Sequence, residues 1–134
     1  MIFDLDGVLV TTDKLHCQSW KELADAEGIP FDELINEQLR GVSRMMSLEI
    51  ILRKAGRHYS EDEKHDLAER KNRRYRQLLR ELTEADLAPG AIDLLQSLRQ
   101  SGAKLALASS SRNARLILRQ LGITERFDAI VDGN

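Results

Sequence analysis

A chain of 134 residues has room for one domain, or for one domain carrying a small insert. Its apolar share of 42%, charged share of 31% and formal net charge of −2 fit an ordinary globular protein and exclude a strongly basic nucleic-acid binder. The single cysteine, Cys17, excludes an internal disulfide and a cysteine-rich zinc pattern. No apolar run is long enough to span a bilayer, and the first residues enter an acidic motif unlike a secretory signal, so a cytoplasmic protein is expected.

Met1 to Leu5 is a short apolar run closed by Asp6-Gly7, the pattern of a buried strand and a turn. A helix is expected from about Asp13 to Glu27, with Thr12, His16, Trp20 and Leu23 near one face, ending at Gly28-Ile29-Pro30. A short helix follows over Glu33 to Leu39 and breaks at Gly41. Ser43 reads as the N-cap of a helix with Met45, Leu48, Leu52 and Ala55 at core spacing and Gly56 at its end. Ser60 to Glu63 has the form of a capping box, opening the longest helix, which reaches about Leu82. Its inner stripe is Leu67, Lys71, Tyr75, Leu78 and Leu82. Lys71 is out of place there unless it snorkels to the edge or meets a buried partner.

After Pro89-Gly90 the pattern changes to a helix at Ala91–Gln100, a strand at Lys104–Ala108, a serine loop, a helix at Arg112–Leu121 and a strand at Phe127–Val131. Strands separated by helices argue for a parallel α/β sheet. The all-helical stretch from Asp13 to Thr83 is too long for a simple crossover and reads as an inserted helical domain. The expected architecture is therefore an α/β core of residues 1–12 and 84–134 with a helical insert at 13–83.

Two motifs carry chemistry. In Phe3-Asp4-Leu5-Asp6-Gly7-Val8, residues two apart on a strand point the same way, so Asp4 and Asp6 are expected to face one site and Leu5 to face away. Two adjacent carboxylates repel unless a cation sits nearby or one keeps its proton. Such a pair suits nucleophilic attack on phosphorus by one group and proton transfer by the other. Ligands of open parallel sheets bind beyond the carboxyl ends of the strands, which is where this pair lies. The alternative is a polar turn, where Asp and Gly are common. In Leu107-Ala108-Ser109-Ser110-Ser111, hydroxyls and backbone N–H groups before a helix can form an anion site, or simply an N-cap.

Asp4-Leu5-Asp6-Gly7-Val8 resembles the first signature motif of the haloacid dehalogenase superfamily. The resemblance implies a Rossmann-like core, Asp4 as nucleophile, Asp6 as general acid/base, and Mg2+ bound by the Asp4 carboxylate and the Asp6 backbone carbonyl. Ser109 resembles the second motif, which holds the transferring phosphoryl group. Within the superfamily the helical insert resembles the small cap of its sugar-phosphate mutases nearly end to end. Thr12 and His16 resemble residues where that cap begins, with Trp20 one turn on. Arg40-Gly41-Val42-Ser43-Arg44 resembles the loop that grips a distal phosphate. Arg44 there would use both its bidentate guanidinium and a helix dipole. Arg70-Lys71-Asn72 with Tyr75 resembles a further cap signature. Ser110, Ser111, Arg112 and Asn113 resemble the rest of the core loop beside the sugar phosphate.

The resemblance implies interconversion of β-glucose 1-phosphate and glucose 6-phosphate through an aspartyl phosphate and glucose 1,6-bisphosphate, with cap closure excluding water. The partner would be a small sugar phosphate, with no nucleic acid and no membrane, and the full-length protein a monomer. The superfamily's lysine and acidic pair are expected downstream of residue 134, so the chain alone is expected to be incomplete and inactive. Thr11 stands where relatives often carry Asp. Two other readings fit the residues, a superfamily phosphatase with water as acceptor and a non-catalytic fragment acting as a binding or assembly module. A basic helix face built from Arg70, Arg73, Arg74, Arg76 and Arg80 is offset by nearby acids and lacks interleaved aromatics for base stacking.

Overall fold

A computed structural model describes all of residues 1–134. In chain order the elements are β1 (Ile2–Phe3), α1 (Asp13–Ala26), α2 (Glu33–Gln38), α3 (Arg44–Leu52), α4 (Glu61–Leu79), α5 (Ala91–Gln100), β2 (Ala106–Ala108), α6 (Ala114–Leu121) and β3 (Ala129–Val131). They form an α/β fold whose strands are all parallel, in the order β1-β2-β3. No helix is long and apolar enough to cross a membrane.

The chain divides into two compact units, Met1–Thr12 with Leu78–Asn134, and Asp13–Gln77. Residues 78–83, expected in the helical insert, cluster with the sheet. Leu78, Leu79 and Leu82 are buried, and Gln120 Nε2 on α6 donates to the carbonyls of Arg80 and Leu82 at 3.0 and 3.1 Å.

In the sheet unit, Ile2 and Phe3 pair with Ala106 and Leu107, and Ala106 to Ala108 pair with Ala129 to Val131. The interior of the sheet unit holds Leu5, Leu105 and Leu107 and the α6 stripe Ala114, Ile117, Leu118 and Leu121, all buried. Strands β2 and β3 are shorter than expected, and a side chain takes one ladder position between them. Asp128 Oδ2 accepts from the Leu105 N–H at 2.8 Å, and β2 begins only at Ala106 and β3 at Ala129. Helix α6 starts at Ala114 rather than Arg112 because the Ser111 hydroxyl accepts from the Asn113 N–H at 3.1 Å and Asn113 itself is not helical.

The helical unit is held by one apolar cluster that includes Trp20, Leu23, Ile35, Leu48, Ile51 and Leu67. The capping box that opens α4 forms in full. Ser60 N–H donates to Glu63 Oε2 at 2.8 Å and Glu63 N–H donates to Ser60 Oγ at 3.2 Å. Helix α3 ends at Leu52, before the expected Gly56, because the next residues tighten to shorter bonds, Lys54 N–H to Ile51 O and Ala55 N–H to Leu52 O.

Candidate active site

Parallel pairing brings the carboxyl ends of β1, β2 and β3 to one edge of the sheet, with Asp4, Ser109 and Asp132 just beyond them. Asp4 is exposed. Its carboxylate takes one hydrogen bond, from the Leu5 N–H to Oδ1 at 2.7 Å, so Oδ2 carries no protein donor. An oxygen without a donor is what a nucleophile needs.

Strand alternation does not place Asp6. β1 ends at Phe3, and Leu5 to Val10 fold into a turn in which Gly7 N–H donates to Val10 O at 2.8 Å and Leu9 N–H to Leu5 O at 2.9 Å. Leu5 does face inward and is fully buried. Asp6 is held from outside the strand, by the hydroxyl of the buried Thr12, which donates to its Oδ1.

The serine loop folds on itself. Ser111 N–H donates to Ser109 Oγ and Asn113 N–H to Ser111 Oγ, both at 3.1 Å, while Ser110 and Arg112 are exposed. Thus the hydroxyls organise the loop backbone and do not cap α6, whose N-cap Asn113 makes no side-chain cap bond. Gly133 and Asn134, to which the motifs assign no role, bond to this loop through Gly133 N–H to Ser111 O and Asn134 Nδ2 to Arg112 O, and Asp132 holds Asn134. The signal available was an Asp-Gly-Asn run after the third parallel strand, where ligand contacts of such sheets gather.

In the helical unit a second cluster forms. Lys71 is only 4% exposed, and its Nζ lies 2.9 Å from His16 Nδ1, 4.8 Å from the centre of the Trp20 ring and 4.6 Å from that of Tyr75. The imidazole stacks on Tyr75 with centroids 4.0 Å apart. Of the two explanations for a lysine in an apolar stripe, the buried partner is the one realised. Burial, then the Lys71 and Arg44 charges, push the His16 pKa down to about 3. Burial, then the Arg44 charge, push that of Lys71 down to about 7. At neutral pH the ring is therefore uncharged, and it shares one hydrogen bond with the amine.

Arg44 opens α3 after the Ser43 cap, whose Oγ accepts from Met46 N–H at 3.3 Å. Gly41 and Val42 form the preceding turn, with Gly41 at φ +70, a conformation a side chain would strain, and Val42 N–H donating to Leu39 O. The Arg44 guanidinium donates to Asn72 Oδ1 at 3.0 Å and lies 3.9 Å from Glu69. It is therefore fixed across two helices, not freely solvated. The basic run on α4 is partly neutralised by α1, since Arg74 pairs with Glu22 at 2.7 Å and Arg70 with Glu27 at 3.5 Å.

For a cation, Asp4 and the Asp6 carbonyl offer hard oxygen donors of the kind Mg2+ selects, while no group of three or more His, Cys, Asp or Glu side chains gathers to hold a metal. The donor chemistry fits, and these residues supply part of a shell.

The sequence profile of haloacid dehalogenase-like hydrolases matches residues 1–134. The chain is 49% identical over 134 residues to β-phosphoglucomutase of Bacillus subtilis, covering 98% of this chain and 59% of that protein. It is 32% identical to a phosphorylated carbohydrates phosphatase of Thermotoga maritima, covering 100% of this chain and 61% of the relative. Among solved structures, β-phosphoglucomutase from Clostridium difficile superposes with a TM-score of 0.87 at 43% identity, over 98% of this chain and 60% of that one. The chain thus spans about three-fifths of the length of these relatives.

Proposed function

This chain belongs to the haloacid dehalogenase-like hydrolase family, and on that premise we propose that it serves a β-phosphoglucomutase, interconverting β-glucose 1-phosphate and glucose 6-phosphate. The sheet unit acts as the phosphoryl-transfer core and Asp13–Gln77 as its helical cap. Asp4 Oδ2 attacks phosphorus, the bond to the sugar oxygen breaks, and an aspartyl phosphate forms. Asp6, oriented by Thr12, protonates the leaving oxygen and takes the proton from the hydroxyl that attacks in the reverse sense. Ser109 holds the transferring group, and Ser110, Ser111, Arg112 and Asn113 line its approach. Mg2+, held by the Asp4 carboxylate and the Asp6 carbonyl, would neutralise phosphoryl charge. Passing the group to β-glucose 1-phosphate gives the 1,6-bisphosphate, which returns its other phosphate to Asp4.

A mutase must hold a second phosphate, and this separates it from a phosphatase. The observation that carries the mutase reading is the Arg44–Asn72 pair at the start of α3 with buried, aromatic-lined Lys71 nearby in charge. Arg44 is assigned the distal phosphate, with Gly41, Val42 and Ser43 shaping its turn and His16, Trp20, Lys71 and Asn72 supporting it. The phosphatase reading draws on the Thermotoga maritima relative and replaces the sugar acceptor by water.

The test is on the full-length protein. Incubation with glucose 1,6-bisphosphate is expected to put an acyl phosphate on Asp4, seen by mass spectrometry of the digest and removed by hydroxylamine. Asp4→Asn is expected to abolish both the modification and the formation of glucose 6-phosphate. Phosphate on Ser109, or an Asp4→Asn protein with full turnover, overturns the assignment. Release of inorganic phosphate from β-glucose 1-phosphate in place of glucose 6-phosphate formation favours the phosphatase.

A further inference from the structure

We propose that Gly133 and Asn134 are positioning residues that set the peptide orientations of the Ser109–Asn113 loop, and so its grip on the transferring phosphoryl group. The inference rests on the reading of that loop as the phosphoryl site.

Backbone and side-chain bonds from the end of β3 hold the loop from outside. Ser109 N–H donates to Val131 O at 2.9 Å, Gly133 N–H donates to Ser111 O at 3.1 Å, and Asn134 Nδ2 donates to Arg112 O at 3.0 Å. In a trans peptide the C=O and N–H are antiparallel. Fixing Ser111 O therefore fixes the direction of the Arg112 N–H, and fixing Arg112 O fixes that of the Asn113 N–H. Backbone N–H groups are the donors an anion meets in a loop of this kind.

The contact demands glycine for space, not for φ. Gly133 is not at positive φ. A Cβ there would lie 2.1 Å from the Ser110 carbonyl oxygen, 2.9 Å from its carbon and 3.1 Å from the Arg112 nitrogen. All three are backbone atoms of the loop, so any side chain must push the loop itself away. Asp132 secures the holding segment in turn. Its Oδ1 accepts from Asn134 N–H at 3.1 Å, and its Oδ2 from Arg115 Nε at 2.9 Å, while the same guanidinium donates to Ile130 O at 2.9 Å. Sheet, holding segment and loop are thereby joined without any contribution from the loop's own side chains.

The experiment compares Gly133→Ala, Asn134→Ala and Ser109→Ala in the full-length protein. The readouts are inhibition by inorganic phosphate and hydrolysis of a small aryl phosphate, with circular dichroism and the thermal midpoint alongside. Gly133→Ala is expected to lower aryl phosphate turnover by about 100-fold, the scale of a displacement of about 1 Å at a reacting group. Asn134→Ala is expected to weaken phosphate inhibition by about 3- to 10-fold, the loss of one hydrogen bond, at an unchanged thermal midpoint. A merely structural role would move the midpoint and leave phosphate affinity alone. Wild-type phosphate affinity in folded Asn134→Ala, or wild-type turnover in folded Gly133→Ala, overturns the inference. If Gly133→Ala does not fold, Asn134→Ala alone decides. Should Ser109→Ala also behave as wild type, the phosphoryl-loop reading falls with it; an impaired Ser109→Ala beside an unimpaired Asn134→Ala removes only the inference.

Discussion

The sheet unit and the helical unit hold their polar groups by opposite means. In the sheet unit, Asp4 and the serine loop lie at strand ends, at or near the surface, and are placed by backbone pairing and by hydrogen bonds to main-chain atoms. In the helical unit, buried Lys71 and half-buried His16 sit among Trp20 and Tyr75 and are placed by packing. Backbone placement leaves a side chain free to react at little cost to stability. Placement by burial disfavours charge until an anion arrives to balance it. Substitutions at the two sites should therefore separate activity from stability differently.

The largest effect expected in the helical unit is on activity. Arg44→Ala should cost about 1.5–3 kcal/mol of charge-assisted binding to the bisphosphate, lowering mutase turnover while sparing hydrolysis of a small aryl phosphate. Steady-state kinetics on both substrates check this. Equal losses would mean that Arg44 supports the fold and not a second phosphate.

Lys71→Met tests the cost of burial directly. A charged amine is costly to bury, and methionine removes that cost, so the variant should unfold at higher temperature at neutral pH and turn over more slowly. A less stable variant would make Lys71 a structural tie to His16.

The pH dependence sharpens the same contrast. Folding lowers the Lys71 pKa from 10.5 to about 7, so between those values the unfolded chain binds the extra proton. Stability from this group must then rise with pH across that window, by at most about 1.4 kcal/mol per unit, and be flat below it. His16, lowered from 6.5 to about 3, gives the same sign lower down, with stability lost as pH falls from about 6.5 toward 3. Chemical denaturation at several pH values should show the upper slope vanish in Lys71→Met and the lower slope persist. An unchanged upper slope would show that Lys71 is solvated.

The smallest effect belongs to the cap of α3. Ser43→Ala removes one long hydrogen bond, 3.3 Å to Met46 N–H, and should cost about 0.5–1 kcal/mol. Thermal unfolding reads it. A loss several times larger would show that Ser43 also fixes the Gly41–Val42 turn.

What the sequence determined by itself is local. Ala91–Gln100 follows its helical period, the Ser60–Glu63 box follows capping chemistry, and Ser43 caps as its position requires. Each depends on residues within one turn of one another, so short-range sterics and hydrogen bonds settle it. The Asp4-x-Asp6 and serine motifs were legible for the same reason, being contiguous, although their exact backbone was not. Asp6 left the strand because β1 has partners for only two residues, and Thr12, six positions on, holds it. Only the tertiary structure decided that Lys71 meets His16, 55 residues away in the chain, and that Arg44 reaches Asn72, 28 away. It alone placed Gly133 against Ser110, since nothing local to glycine announces a close approach by a distant backbone. Such contacts depend on how helices and strands pack over long separations. Their energies come from burial and shape fit, which residue order alone does not encode position by position.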